Sequence, residues 1–377
     1  LQPKLGKPFF MQIIFRFTLL VLIFSSTSWA TLAKGGDKTD QDHGGQVDTK
    51  EEVNAYINHH LDDSHYFNLY SDGETGEHFG IPLPVIIYDF DNGLHLFSSS
   101  KFHHGEDLVE IDGQHYKLYH SKIYKTDAEG TITYDEDGFV ENAKPLDFSI
   151  TKNLLGMILA SVLLLWMFTS LARSYKKGQI PKGFSRFLEP LVIYVRDDIA
   201  KPNIGPKYKK YMSFLLTVFF FIWLLNLLGM TPLGFNVTGN IAVTFALALV
   251  TFIIVQFSGN KHYWKHIFWM PGVPVLMKIV LMPIEILGMF TKPFALMIRL
   301  FANMTAGHVV IMSLLGLIVI MQNWIAGPAF FGFTIMISVI ELLVAFLQAY
   351  IFTLLSALYI GMAVEDHDDH GEDVPVV

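Results

Sequence analysis

Apolar residues fall in five long runs separated by short polar or basic stretches, and this alternation predicts helices that cross a membrane. The first run, 154–171, is followed by Arg173, Lys176, Lys177, Lys182 and Arg186, which marks its trailing end as cytoplasmic by the positive-inside rule. Runs at 211–228 and 241–257 are joined by a short turn at 229–234 and should form a helical hairpin. Between the first two runs, residues 189–196 mix polar and apolar positions in the manner of a segment lying along the membrane surface. A second basic loop, carrying Lys261 and Lys265, follows the third run and agrees on the orientation.

The last two runs, 274–321 and 330–363, are too long to stand upright. A helix over the first would reach about 70 Å, more than twice the hydrocarbon thickness of about 30 Å. Pro283 and Pro293 can bend it, and a strongly tilted course resolves the excess length. The two therefore pair as tilted helices around a turn at 322–328, and the acidic tail 365–373 ends in the cytoplasm. The fold expected is an all-α polytopic membrane protein of about five embedded helices.

Ahead of the first span the character changes. Lys4, Lys7 and Arg16 precede an apolar stretch and the small-residue site Ser28-Trp29-Ala30, so residues 1–30 resemble a secretory signal, with Met11 an alternative start. Residues 31–148 form an acidic, histidine-rich extracytoplasmic segment. Its opening, 35–50, reads as a flexible linker. Beyond it, Asp91-Asn92-Gly93, Asp112-Gly113 and Asp137-Gly138 punctuate runs of alternating Ile, Val, Leu and Tyr, the signature of hairpins in a small β-rich module. The membrane unit then covers 149–364, and 365–377 is a cytoplasmic tail.

The 377 residues include no cysteine, which excludes disulfides, thiolate nucleophiles and cysteine-ligated metal centres. His59, His60, His65, His103, His104, His115 and His120 raise a zinc question, but spacing alone is weak, and solvated histidines are the reading adopted. No cofactor, metal or nucleic-acid partner is expected. No G-x-x-x-x-G-K-[ST] run is present, so no nucleotide site is expected either.

Within 274–321 the ionisable residues are Lys278, Glu285, Lys292, Arg299 and His308, and the first four are spaced seven apart, on one helical stripe. A charge at bilayer depth costs from about 3 to over 10 kcal/mol, so such groups usually face protein or a water-filled path. Arg299 is the deepest of them; its alternative is a snorkelling or internally paired side chain. If the two long helices run antiparallel with Gln348 level with Arg299, His308 and Glu341 lie at nearly the same depth, about 10–13 Å outward. An imidazole and a carboxylate there can pass a proton, or simply lock the hairpin together. Nine residues turn a helix half a circle, so Arg299 and Asn303 should look toward a partner and His308 toward its hairpin mate. Lys278 and Lys292 read as interfacial anchors.

The run Thr291-Lys292-Pro293-Phe294-Ala295-Leu296-Met297-Ile298-Arg299-Leu300-Phe301-Ala302-Asn303-Met304-Thr305-Ala306-Gly307-His308, with Glu341 and Leu347-Gln348-Ala349-Tyr350-Ile351-Phe352, resembles subunit a of the F-type ATP synthase. A weaker likeness extends from the first span onward, including Asn226-Leu227-Leu228 and the stretch after Asn240, but not over the exported segment. The resemblance implies that Arg299 is the stator arginine facing a ring of c subunits. It implies that Asn303, Gln348, His308, Glu341, Asn226 and Asn240 belong to proton half-channels, and that Glu285 sits near the cytoplasmic side. It also implies peripheral-stalk b subunits and, indirectly, a catalytic head as partners, a bacterial inner membrane, and a chain that is not itself an enzyme. Two departures stand out. His308 and Glu341 exchange the residue types found in some bacterial relatives, and Gly229 replaces an Asp that some relatives carry.

Two functions follow from these residues: a proton-conducting stator subunit, or a membrane-anchored sensor or self-contained transporter whose exported domain binds a ligand. Internal repeats would favour a transporter, and none is evident.

Overall fold

A computed structural model describes residues 50–71, 78–105, 107–136, 138–176, 184–231, 235–270, 274–321 and 324–365. The signal segment, the linker before residue 50 and the acidic tail beyond Glu365 lie outside the described residues.

The module expected to be exported opens with helix α1 (Lys50–Leu61). Eight strands follow in three small antiparallel sheets: β1 (Tyr66–Ser71) with β2 (His78–Pro82), β3 (Pro84–Asp89) between β4 (Gly93–Ser98) and β8 (Leu146–Asp147), and β6 (Gln114–Tyr119) between β5 (Val109–Ile111) and β7 (Lys122–Thr126). The predicted turns recur. Asp91-Asn92-Gly93 joins β3 to β4, and Asp112-Gly113, with φ of 51° and 82°, joins β5 to β6; paired positive φ angles match the right-handed twist of the strands. Val85, Ile87, Phe97, Phe102, Val109, Tyr116 and Ile123 form its core. At its centre, buried Asp89 accepts a hydrogen bond from the Tyr116 hydroxyl at 2.7 Å and pairs with Lys125.

The membrane unit begins with α2 (Lys152–Lys176) and α3 (Phe184–Tyr194). From α3 the chain runs through one π-helical turn (Val195–Ala200) and the short α4 (Lys201–Ile204) into α5 (Tyr208–Gly229). Next come α6 (Ile241–Ser258), the short α7 (Lys261–Phe268), and the long pair α8 (Val275–Met321) and α9 (Ala326–Val364). Five helices are long and apolar enough to cross a membrane. The surface segment predicted at 189–196 is helical and continues into the second span through the π turn.

Helix α5 is hydrophobic all round, as a helix must be when neighbours cover every side. Its Phe219, Phe220 and Trp223 interlock with Phe168 of α2, Phe187 of α3 and Phe346 of α9. The long helices behave differently. In α5 and the segment leading into it 72 % of the most apolar window is buried, against 17 % for α8 and 11 % for α9. Leu287, Phe294, Ile298, Leu343 and Leu347 are all exposed, so one broad apolar flank of the hairpin faces away from its own chain.

Two features set direction. The carbonyl of Val364 at the end of α9 accepts hydrogen bonds from the Lys207 ammonium and the Asn260 side chain, both at 3.1 Å, so both basic loops meet the end of the chain on one face. The exported module packs at the opposite end. Phe67 stacks on Phe235 with ring centroids 5.1 Å apart, and Val53 of α1 packs over Gly316 of α8 so closely that a Cβ there would lie 2.9 Å from its Cγ2.

Candidate functional site

The hairpin register is readable from one contact. Glu341 of α9 lies across Gly307 of α8, with its Cδ 2.9 Å from where a Cβ on Gly307 would be. This is within one residue of the register that sets Gln348 level with Arg299. Glycine is the residue that lets the carboxylate approach the α8 backbone this closely.

Around this contact lies a small, half-open cleft lined by Asn226 and Met230 of α5, Leu300, Asn303 and Met304 of α8, and Glu341, Val344, Ala345 and Gln348 of α9. The fold thus brings Asn226, Asn303, Glu341 and Gln348, residues far apart in sequence, onto one cavity wall. Asn226 is fully engaged there. Its amide donates to the Ala345 carbonyl at 3.3 Å and accepts from Thr238 at 2.8 Å, which ties α5 to α9.

His308 departs from the expected geometry. Its Nε2 does not reach Glu341 but lies over α5, 3.5 Å from where a Cβ on Gly229 would be. The imidazole thus stands against the position where some relatives carry Asp, while the Phe235 carbonyl, 3.0 Å from where a Cβ would be, is what crowds a side chain there. The reason is the turn of about 100° per residue: Gly307 takes the side of α8 toward α9, and the next residue points on toward α5. Both groups are buried, and His308 Nε2 and Glu341 Oε1 each lack a hydrogen-bond partner. Leaving such an atom unsatisfied costs about 1–3 kcal/mol, so both atoms call for water or a transferable proton between them.

Arg299 lies one turn before Asn303, half-buried on α8. Among the described residues no hydrogen bond or ion pair engages its guanidinium, which therefore is not internally paired. The exposed Ile298 and Phe294 flank it, placing its charge at the edge of the open apolar flank. Toward the cytoplasm, Lys292 sits 5.2 Å from the Tyr359 ring and Lys278 4.6 Å from the Trp269 ring, contacts suited to interfacial anchoring. Glu285 is half-buried on the same helix and close enough to Lys292 and Tyr263 for its charge to be felt by both.

Asn240 is not in the cleft. It caps α6, accepting from the Ala242 amide at 2.9 Å, and donates to Asp63 of the exported module at 3.4 Å. Among the described residues no group of three His, Asp or Glu is placed to hold a metal ion. Instead His65 pairs with Asp147 at 2.8 Å, and His103 pairs with Asp107. Sequence reasoning missed Asp63, Lys152 and Asn236, which lie where the N-terminal module meets α2 and the loop before α6; nothing in their local sequence marks them.

A bundle with an uncompensated arginine at mid-depth and polar groups in a buried cleft defines a multi-pass membrane protein of the ion-conducting class. The ATP synthase A chain family matches residues 154–361, and a domain of unknown function (DUF8433) matches 56–148. The chain is 48 % identical over 235 residues to ATP synthase subunit a of Chloroherpeton thalassium, covering 60 % of this chain and 70 % of that one. It is 40 % identical over 321 residues to ATP synthase subunit a 2 of Prosthecochloris aestuarii, covering 81 % and 98 %, and 47 % identical over 240 residues to ATP synthase subunit a of Myxococcus xanthus, covering 61 % and 78 %. The chain belongs to the ATP synthase A chain family and is a subunit of the membrane sector of ATP synthase.

Proposed function

We propose that this subunit is the stator against which a ring of c subunits turns, and that it couples proton flow to ATP synthesis without catalysing any reaction itself. The observation that carries this reading is Arg299: a guanidinium at mid-depth, with no hydrogen bond or ion pair among the described residues, at the edge of a broad exposed apolar flank. Such a flank needs a protein or lipid neighbour, and such a charge needs an anion.

A ring carboxylate supplies that anion. In lipid it travels protonated, because an ionised carboxylate is costly there. Beside Arg299, which stays protonated under protein conditions, a charge pair at about 4 Å gains roughly 4 kcal/mol at an effective dielectric of 20. The ionised form is therefore favoured there. A carboxylate passing Arg299 must release its proton into one half-channel and take another from the other. The outer half-channel runs from the exported face past His308 and Glu341 to the cleft with Asn226, Asn303 and Gln348; the inner one opens beside Glu285.

In this reading the chain lies in a bacterial inner membrane with the module that carries β1–β8 outside. The two basic loops and the C-terminus are cytoplasmic, in line with the positive-inside rule, and peripheral-stalk b subunits hold the chain against the catalytic head. The test is Arg299→Ala in the whole complex, with assembly checked by co-purification of the ring and proton pumping followed in inverted vesicles. Loss of ATP-driven pumping with assembly intact is expected; pumping at the normal rate would refute the role.

A further inference from the structure

The exported module sits where the outer half-channel must open. Helix α1 crosses α8 at Gly316, eight residues beyond His308, about 12 Å outward along the helix. Leu61 and Asp63, just after α1, reach into the bundle. The Leu61 carbonyl accepts from Asn236 at 3.5 Å. Asp63 accepts from the Asn153 amide at 3.0 Å, the Thr151 hydroxyl at 3.1 Å and the Asn240 side chain at 3.4 Å. One carboxylate thereby touches the first turn of α2 and the cap of α6.

Inward of Asp63 stands Lys152, a buried lysine at the first position of α2. Its charge bears on both Asp63 and His308. Asn236, whose amide reaches Leu61, and Thr305, His308 and Glu341 of the long hairpin each bury a polar atom without a partner among the described residues: Asn236 Oδ1, Thr305 Oγ1, His308 Nε2 and Glu341 Oε1. Four such atoms would cost several kcal/mol if dry, at about 1–3 kcal/mol each, and water reaching them removes that cost.

We propose that the exported module forms the outer mouth of the half-channel, with Asp63 as the carboxylate that exchanges protons with the exterior and Lys152 as the residue that positions it over the path to His308. The proposal rests on the half-channel reading above. A proton taken up by the Asp63 carboxylate leaves it for a neighbouring water and passes along water to the imidazole of His308, restoring the carboxylate. Burial pushes the Asp63 carboxyl above its usual range, against the lowering effect of the Asn153 and Thr151 hydrogen bonds and of His65, which brings proton uptake closer to neutral pH. The charged or titratable groups that face it are Asp62, His65 and Lys152, with His120 and Lys122 bearing on Asp62.

The bland alternative is that Asp63 only fastens the module to α2 and α6. Asp63→Asn keeps the acceptor for the Asn153 amide, since Asn serves a helix N-terminus as well as Asp does, gives up the acceptor for Asn240, and removes the exchangeable proton, so assembly is measured beside flux. In the whole complex, proton flux through Asp63→Asn should fall roughly a hundredfold near neutral pH, the low end of what a positioned proton carrier contributes. The deficit should shrink as the outer pH is lowered, and Asp63→Glu should restore flux. Lys152→Gln provides a second arm, expected to lower flux and shift its dependence on outer pH. Flux and pH profile unchanged in both Asp63→Asn and Lys152→Gln, while Arg299→Ala abolishes pumping, would overturn the mouth and leave the stator reading standing. Normal pumping in Arg299→Ala as well would overturn both. A loss in Asp63→Asn that no outer pH relieves would reduce Asp63 to a fastening.

Discussion

Replacing Gly307 by alanine tests whether the close approach of Glu341 to α8 matters to proton movement. The added Cβ would stand 2.9 Å from the Glu341 Cδ, whereas two carbons settle at about 3.5–4.0 Å. The carboxyl group must therefore retreat by about 1 Å. Because it ends a flexible side chain, it can do so by a change of rotamer, at a cost of roughly 0.5–1.5 kcal/mol. Folding and assembly should survive. Proton transfer should not, because a displacement of about 1 Å at a reacting group can cost on the order of 100-fold in rate. The assay is passive proton conduction through membranes stripped of the catalytic head, with ATP-driven pumping measured in the intact complex and both scaled to assembled subunit. Wild-type conduction in a fully assembled Gly307→Ala complex would refute the claim that Glu341 acts from this position.

Gly361→Ala should fail in the opposite way. Its Cβ would collide with the backbone carbonyl of Asn203, which cannot swing aside, so the variant should lose about 1–3 kcal/mol or more and appear as poor assembly at elevated temperature, not as slow conduction through assembled complexes. Asn226→Leu removes the bond to Ala345 of α9 and the bond from Thr238 in the loop before α6, and leaves the Thr238 hydroxyl unpaired, at about 1–3 kcal/mol; thermal dissociation of the purified complex should begin at lower temperature. Unchanged thermal stability with conduction abolished would make Asn226 a channel group instead of a fastening. In the exported module, burial raises the Asp89 carboxyl, but the hydrogen bonds from Lys125 and Tyr116 prevail and hold it below the usual range. Its contribution to stability is therefore present above about pH 4 and lost as pH falls through the depressed value. Hydrogen exchange in β3 and β4 should accelerate on acidification below pH 4, and Asp89→Asn should flatten that response; identical acid profiles would contradict it.

Much of the fold was legible because each feature is encoded locally. Residue Pro283 did not stop α8, since a helix in a bundle can absorb one lost hydrogen bond, and length against bilayer thickness alone required the last two helices to lie over. The β3–β4 and β5–β6 turns followed from Asn-Gly and Asp-Gly, which accept positive φ. The β6–β7 turn was less visible: His120 and Ser121 both hold positive φ, 46° and 56°, a conformation their residue types do not announce. Helix α1 also escaped, because its polar sequence lacks a strong apolar stripe and its orientation is set by packing on α8 around Gly316.

For the site, the sequence by itself determined which residues are out of place in a membrane, and so named Arg299, His308, Glu341 and Gln348, because the cost of a polar group in hydrocarbon depends on its type and depth alone. What only the tertiary structure decided is where those groups look. Glu341 lies against Gly307, His308 turns onto α5 at Gly229, Asn226 ties two helices, and Asn240 reaches Asp63. Helix rotation, close approach at glycines and the docking of the exported module set these relations, and they depend on contacts between residues as much as 177 positions apart, which no local pattern records.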